Sequence, residues 1–145
     1  LQDFEASGCD YLANVSPPTF PDGLDVEVMR FACLMVAHRE AGLPSEREHV
    51  TPFLRSHPER FRLANHASGS DLSGLRWTVD EEQDLEFVRA VYQQLYPAKP
   101  DFSTDDILGL LDGNPQLLEI NSSLERNAGF RKSLQDDARV LTRGK

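Results

Sequence analysis

Apolar and polar positions alternate along this chain in short stretches, and most stretches predict one element. Residues 1–7 read as the end of a helix stopped by Gly8. Asp10-Tyr11-Leu12-Ala13-Asn14 reads as a short strand. Residues 15–21 form a proline-rich loop, and Asp22-Gly23 is a turn signal. From Leu24 to Arg30 the alternation is clean: Leu24, Val26 and Val28 on one side, Asp25 and Glu27 on the other. That pattern predicts a half-buried strand with an acidic face. Phe31–Ala41 is a predicted helix ended by Gly42. Ser45 with Glu48 gives a capping-box spacing for a second helix, which runs to about His57 and is cut by Pro58.

Phe61–Asn65 is a further predicted strand, followed by a polar Ser- and Gly-rich loop over 66–74. The most informative stretch comes next. Leu75 to Val79 suits a buried strand, and from Leu85 the residues Val88, Tyr92 and Leu95 recur at helical spacing. Asp80 stands at the junction. In open α/β folds ligands bind just outside the carboxyl ends of strands, and a carboxylate there suits a hard divalent cation. Pro97 and Pro100 break the chain and mark the expected boundary between a core over 1–97 and a helical tail or linker over 98–145. In the tail, Ser103 and Asp106 make a capping box with Phe102 and Ile107 as a hydrophobic staple.

Composition narrows the classes. With 145 residues, 39% hydrophobic and 27% charged, the chain is globular and amounts to one domain with a tail. No apolar run is long enough to cross a membrane. The net charge of −9 argues against nucleic acid held on a basic surface. Cys9 and Cys33 are too few for a disulfide scaffold and lack zinc-ligand spacing, which suits a reducing cytoplasm. No glycine-rich phosphate loop and no Gly-x-Ser-x-Gly elbow is present.

Seven residues stand out as candidates. Asp80 reads either as a cation ligand or as a helix N-cap with Gln83 as its capping-box partner, and one carboxylate can serve both. Asp84, in the first helical turn, reads as a charge complementing the helix dipole. Asp25 and Glu27, two apart on a strand, lie roughly 7 Å from each other, near enough to share a polar ligand. The plainer alternative is a solvated strand edge. Arg47 can grip a carboxylate through a bidentate pair. Glu48 doubles as a cap partner, and His49 beside it can titrate near neutral pH.

Taken in order, five segments carry a family resemblance. They are Asp10–Asn14, residues 19–28 (Thr-Phe-Pro-Asp-Gly-Leu-Asp-Val-Glu-Val), residues 47–52 (Arg-Glu-His-Val-Thr-Pro), residues 75–85 around Asp80, and residues 124–130 (Leu-Glu-Arg-Asn-Ala-Gly-Phe). The chain resembles the cytidylyltransferases that make CMP-sugars, most closely the branch called spore coat polysaccharide biosynthesis protein F. The resemblance implies an α/β fold, the C-terminal part of a nucleotide-diphospho-sugar-transferase-like (GT-A or Rossmann-like) sandwich with a helical tail. It implies transfer of a cytidylyl group from CTP to a sugar, an acid sugar being favoured, with release of pyrophosphate for a surface polysaccharide or glycan. It places Mg²⁺ on Asp80, the late metal-binding aspartate of the family. It puts Asp25 and Glu27 along the sugar pocket, with Arg47 and Glu48 near that pocket and a homodimer contact. It also allows linkage to further domains such as an aminotransferase. The family's early glycine- and arginine-containing loop and its early metal-binding aspartate have no counterpart here. The chain therefore reads as part of a longer enzyme, inactive in isolation. A glycosyltransferase using a nucleotide-sugar donor and a non-catalytic interaction domain are the alternatives.

Overall fold

The computed structural model describes residues 1–143. It is a mixed α/β chain arranged as two compact units. The first unit takes Leu1–Pro17, Val26–Ala67 and, of the described residues, 127–143. The second takes Pro18–Asp25 and Ser68–Arg126, so Pro97 lies inside it.

The first unit is built on a three-stranded sheet in the order β2-β1-β3, with β1 Tyr11–Ala13, β2 Glu27–Met29 and β3 Leu63–Asn65. β1 runs antiparallel to β2, Leu12 opposite Val28, and parallel to β3, Leu12 opposite Ala64. β1 is the central strand and is buried throughout, as its Tyr-Leu-Ala sequence allows. The acidic strand is shorter than its alternation suggests. Only Glu27–Met29 pairs, and Leu24 and Val26 are exposed rather than turned inward. The Asn14 side chain accepts from the Val26 amide at 2.8 Å and gives that backbone its partner outside the ladder.

Helix α1, Gln2–Ser7, ends at Gly8 in the left-handed conformation (φ 62°) that a residue without Cβ adopts freely. Helix α2 covers Phe31–Glu40. The single helix expected over 45–57 is instead two short ones, α3 Pro44–His49 and α4 Pro52–Arg55. Pro52 has no N–H to continue α3, and Val50 turns the chain between them at φ 66°, a costly value for a β-branched residue. The cap of α3 also differs from the Ser45–Glu48 reading. Pro44 is already helical, and Glu46 accepts from the Gly42 and Leu43 amides at 2.9 and 3.0 Å. Ser45 is bound instead by Asp137 of α7, Ala128–Arg143. Asp137 accepts from the Ser45 amide at 2.8 Å and from its hydroxyl at 2.6 Å. Tyr11, Ala13, Cys33, Ala37, Phe53, Leu54 and Phe61 form the core of this unit.

The second unit packs α5, Glu82–Leu95, and α6, Thr104–Gly113, with a 3₁₀ turn over Pro115–Glu119. Phe87, Val91, Leu111 and Leu117 make its core, and Phe102 and Ile107 both pack on it. Ser103 caps α6 as expected: its hydroxyl accepts from the Asp106 amide, and Asp106 accepts from the Ser103 amide at 2.7 Å. The strand expected over 75–79 is reduced to one parallel bridge, Asp22 with Arg76. Among the described residues no helix is long and apolar enough to cross a membrane.

Candidate functional site

In the second unit the chain enters α5 through a charged knot. Asp84 is the centre of it. Its side chain is 0% exposed, because position 84 falls on the same helical stripe as Phe87, Val88 and Val91. A buried carboxylate is stable only when fully hydrogen-bonded. Arg76 supplies a two-pronged pair, Nε to Oδ1 at 2.9 Å and Nη2 to Oδ2 at 2.8 Å. The Thr78 hydroxyl donates to Oδ2 at 2.8 Å and the Asn121 amide to Oδ1 at 2.9 Å. The backbone amides of Asp80 and Glu81 complete the set at 3.1 and 3.2 Å. Burial pushes the Asp84 carboxyl up, but these donors outweigh it and hold the group well below the usual carboxylate range.

Asp80 is not the cap of α5. Glu81 occupies that position, and Asp84 accepts the cap residue's own N–H. Asp80 is thereby released to solvent, its side chain 71% exposed, with Nη2 of Arg76 at 3.5 Å from Oδ2. Arg76 also reaches Asp22 at 3.1 Å, and Asp22 lies 3.5 Å from Arg126. Arg126 binds Asp25 at 2.7 Å, so the first acidic candidate is held by a cation of its own unit.

Glu27 belongs to the first unit. It accepts at Oε1 from the Thr51 hydroxyl at 2.9 Å and from the hydroxyl of Tyr11 in a very short contact. Burial, then the hydrogen bond to Glu27, pushes the Tyr11 phenol well above its ordinary value, so it stays a proton donor. Asp25 and Glu27 are thus engaged by different partners in different units rather than lined up on one strand. Arg47 donates to the His38 carbonyl at 2.9 Å and lines an open depression of about 450 Å³ with Leu34, Met35 and Val50. Glu48 accepts from the Ser133 hydroxyl, which also lies 3.0 Å from Nε2 of His49.

The sequence reads Asp84 only as a helix-dipole charge and does not single out Tyr11. Asp84 carried a signal: it is the one acidic residue of the 80–84 run that falls on the apolar stripe of α5. Tyr11 carried none, because its partners Glu27 and Thr51 are distant in sequence.

Among the described residues no three His, Cys, Asp or Glu side chains converge on a common metal position. Of the carboxylates around Arg76, Asp84 and Asp22 are buried and committed, and Asp80 alone has oxygen open to solvent. That fits a cation held by one or two carboxylates and completed by phosphate oxygens, the usual habit of Mg²⁺.

No protein-family model matches the chain. Over 111 residues it is 30% identical to the spore coat polysaccharide biosynthesis protein SpsF of Bacillus subtilis, covering 74% of this chain and 45% of that protein. It is also 30% identical over 108 residues to an uncharacterized protein of Methanocaldococcus jannaschii, covering 73% of this chain and 44% of that one. A cytidylyltransferase structure from Leptospira borgpetersenii superposes with a TM-score of 0.69 at 27% identity, over 75% of this chain and 45% of that one. The chain is therefore a partial-length match to the cytidylyltransferases, with a nucleotide-sugar-transferase-like α/β fold. Within that class it is SpsF-like, and it spans somewhat under half the length of the relatives it matches.

Proposed function

We propose that this chain is part of a cytidylyltransferase that couples CTP to a sugar, releases pyrophosphate and supplies the product to surface polysaccharide synthesis. A hydroxyl oxygen of the sugar attacks the α-phosphorus. The new P–O bond forms as the bond to pyrophosphate breaks, and the hydroxyl proton passes to solvent water. A divalent cation would neutralise the crowded phosphate charge. The observation that carries this reading is the exposed carboxylate of Asp80, held at the entrance to α5 in a fold that superposes on a cytidylyltransferase.

The sugar side is carried by Glu27. With Oε1 taken by Tyr11 and Thr51, Oε2 is left to accept from a sugar hydroxyl. Arg47 and Glu48 of the first unit, and separately Asp25 of the second, are further proposed substrate contacts, with Arg47 as the group that suits an acid sugar's carboxylate. CTP supply and the two free cysteines go with a cytoplasmic setting.

The test is pyrophosphate release by the full-length protein with CTP, Mg²⁺ and a panel of acid and neutral sugars. Release that requires both CTP and one sugar supports the proposal. Consumption of a nucleotide-sugar donor, without CTP-dependent release from any sugar, would overturn it in favour of a glycosyltransferase.

A further inference from the structure

We infer that Asp84 is a positioning residue that holds Asp80 ready to bind a divalent cation. The inference rests on the reading of Asp80 as a cation ligand. It concerns what makes that ligand effective.

A single exposed carboxylate is a weak cation site if it wanders. Ordering a side chain and its backbone costs free energy at the moment of binding. Here the backbone part of that ordering is done in advance. Four of the donors to Asp84 come from the segment that carries Asp80: Arg76, Thr78, the Asp80 amide and the Glu81 amide. One buried anion thus ties down the backbone on both sides of Asp80 and at Asp80 itself. Asn121 joins the clamp by donating to Asp84 and to the Arg76 carbonyl, each at 2.9 Å.

Arg76 contacts both carboxylates. Its Nη2 sits 2.8 Å from Oδ2 of Asp84 and 3.5 Å from Oδ2 of Asp80. The shorter contact is a full charge-assisted bond. The longer one is a loose ion pair that leaves the Asp80 lone pairs unoccupied. The buried carboxylates Asp84 and Asp22 are matched by Arg76 and Arg126. Asp80 is the most exposed of the carboxylates around these two arginines.

The experiment measures Mn²⁺ binding to the full-length protein by the electron paramagnetic resonance signal of free Mn²⁺, with and without CTP. Three variants are compared. Asp80→Asn reports on the site itself. Thr78→Val removes one hydroxyl donor and no charge, and Thr78→Ser restores the hydroxyl. Thr78→Val is expected to weaken Mn²⁺ on the order of tenfold, as supporting contacts around metal ligands do, and Thr78→Ser to recover it. In the Asp80→Asn background Thr78→Val should have no further effect. If Asp80→Asn binds Mn²⁺ like the parent, the reading of Asp80 itself fails. If Asp80→Asn is impaired while a folded Thr78→Val binds normally, Asp84 only stabilises the fold and the inference is overturned. Should Thr78→Val not fold, Asn121→Asp and Asn121→Ala carry the same comparison. Parent-like Mn²⁺ affinity in the folded member of that pair would overturn it equally.

Discussion

Replacing Gly23 by alanine should unfold or badly weaken the second unit. Gly23 has φ 99°, and a Cβ built there lies 2.7 Å from the Trp77 carbonyl carbon and oxygen and 2.8 Å from the Thr78 nitrogen. These are backbone atoms, so no rotamer change relieves the contact. The left-handed backbone costs an L-residue about 1–2 kcal/mol. Moving the 75–78 segment away breaks the bonds beside the clash, Asp22 N–H to the Leu75 carbonyl at 2.9 Å and Trp77 N–H to the Asp22 carbonyl at 2.7 Å. Each is worth about 1 kcal/mol net, so the total comes to roughly 3–4 kcal/mol, a large share of a domain's stability. The assay is urea unfolding followed by the fluorescence of Trp77, the chain's single tryptophan, which sits at the perturbation. Gly109→Ala is the internal control. Gly109 lies exposed within α6, and its added Cβ meets nothing within 4 Å. That change should stabilise by up to about 1 kcal/mol. A Gly23→Ala protein within about 0.5 kcal/mol of the parent, the magnitude expected of an ordinary surface change, would refute the account of this turn.

Three further outcomes are expected. Leu54, at 0% exposure in the first unit's core, should cost about 2–5 kcal/mol on replacement by alanine, and a loss under about 1 kcal/mol on denaturant titration would contradict that packing. Glu27→Gln in the full-length protein should raise KM for the sugar more than KM for CTP. Equal effects on both would make Glu27 a structural partner of Tyr11 and Thr51. Asp106 titrates well below the usual carboxylate range, first because Lys99 binds it at 2.7 Å and then because Ser103 donates to it. A carboxyl depressed in the folded state adds stability above its unfolded pKa and loses it as pH falls through the folded value. Asp106→Asn should therefore lower the melting temperature near neutral pH, with the difference from the parent shrinking below about pH 4. A constant difference across that range would exclude the linkage.

Much of this protein is legible along the chain because the signals are local. Gly8 ends α1 for want of a Cβ, the Ser103–Asp106 box starts α6, and the period from Leu85 to Leu95 gives α5, since each needs only neighbours within a turn or two. Other features belong to the tertiary structure. The division into two units joins Asp22 to Arg76 and Ser45 to Asp137 across long stretches of sequence, and no local pattern reports such pairings. The same holds for Asp25 and Glu27. Their spacing suggests one acidic face, but Arg126 claims the first and Tyr11 with Thr51 the second. At the entrance to α5, the sequence reads Asp80 as ligand or cap and Asp84 as a dipole charge, and gives Glu81 no role. Tertiary burial separates them. The one that falls on the apolar stripe must collect donors to survive out of water, and in doing so it draws Arg76, Thr78 and Asn121 around it. That leaves Glu81 to cap the helix and Asp80 free to face solvent.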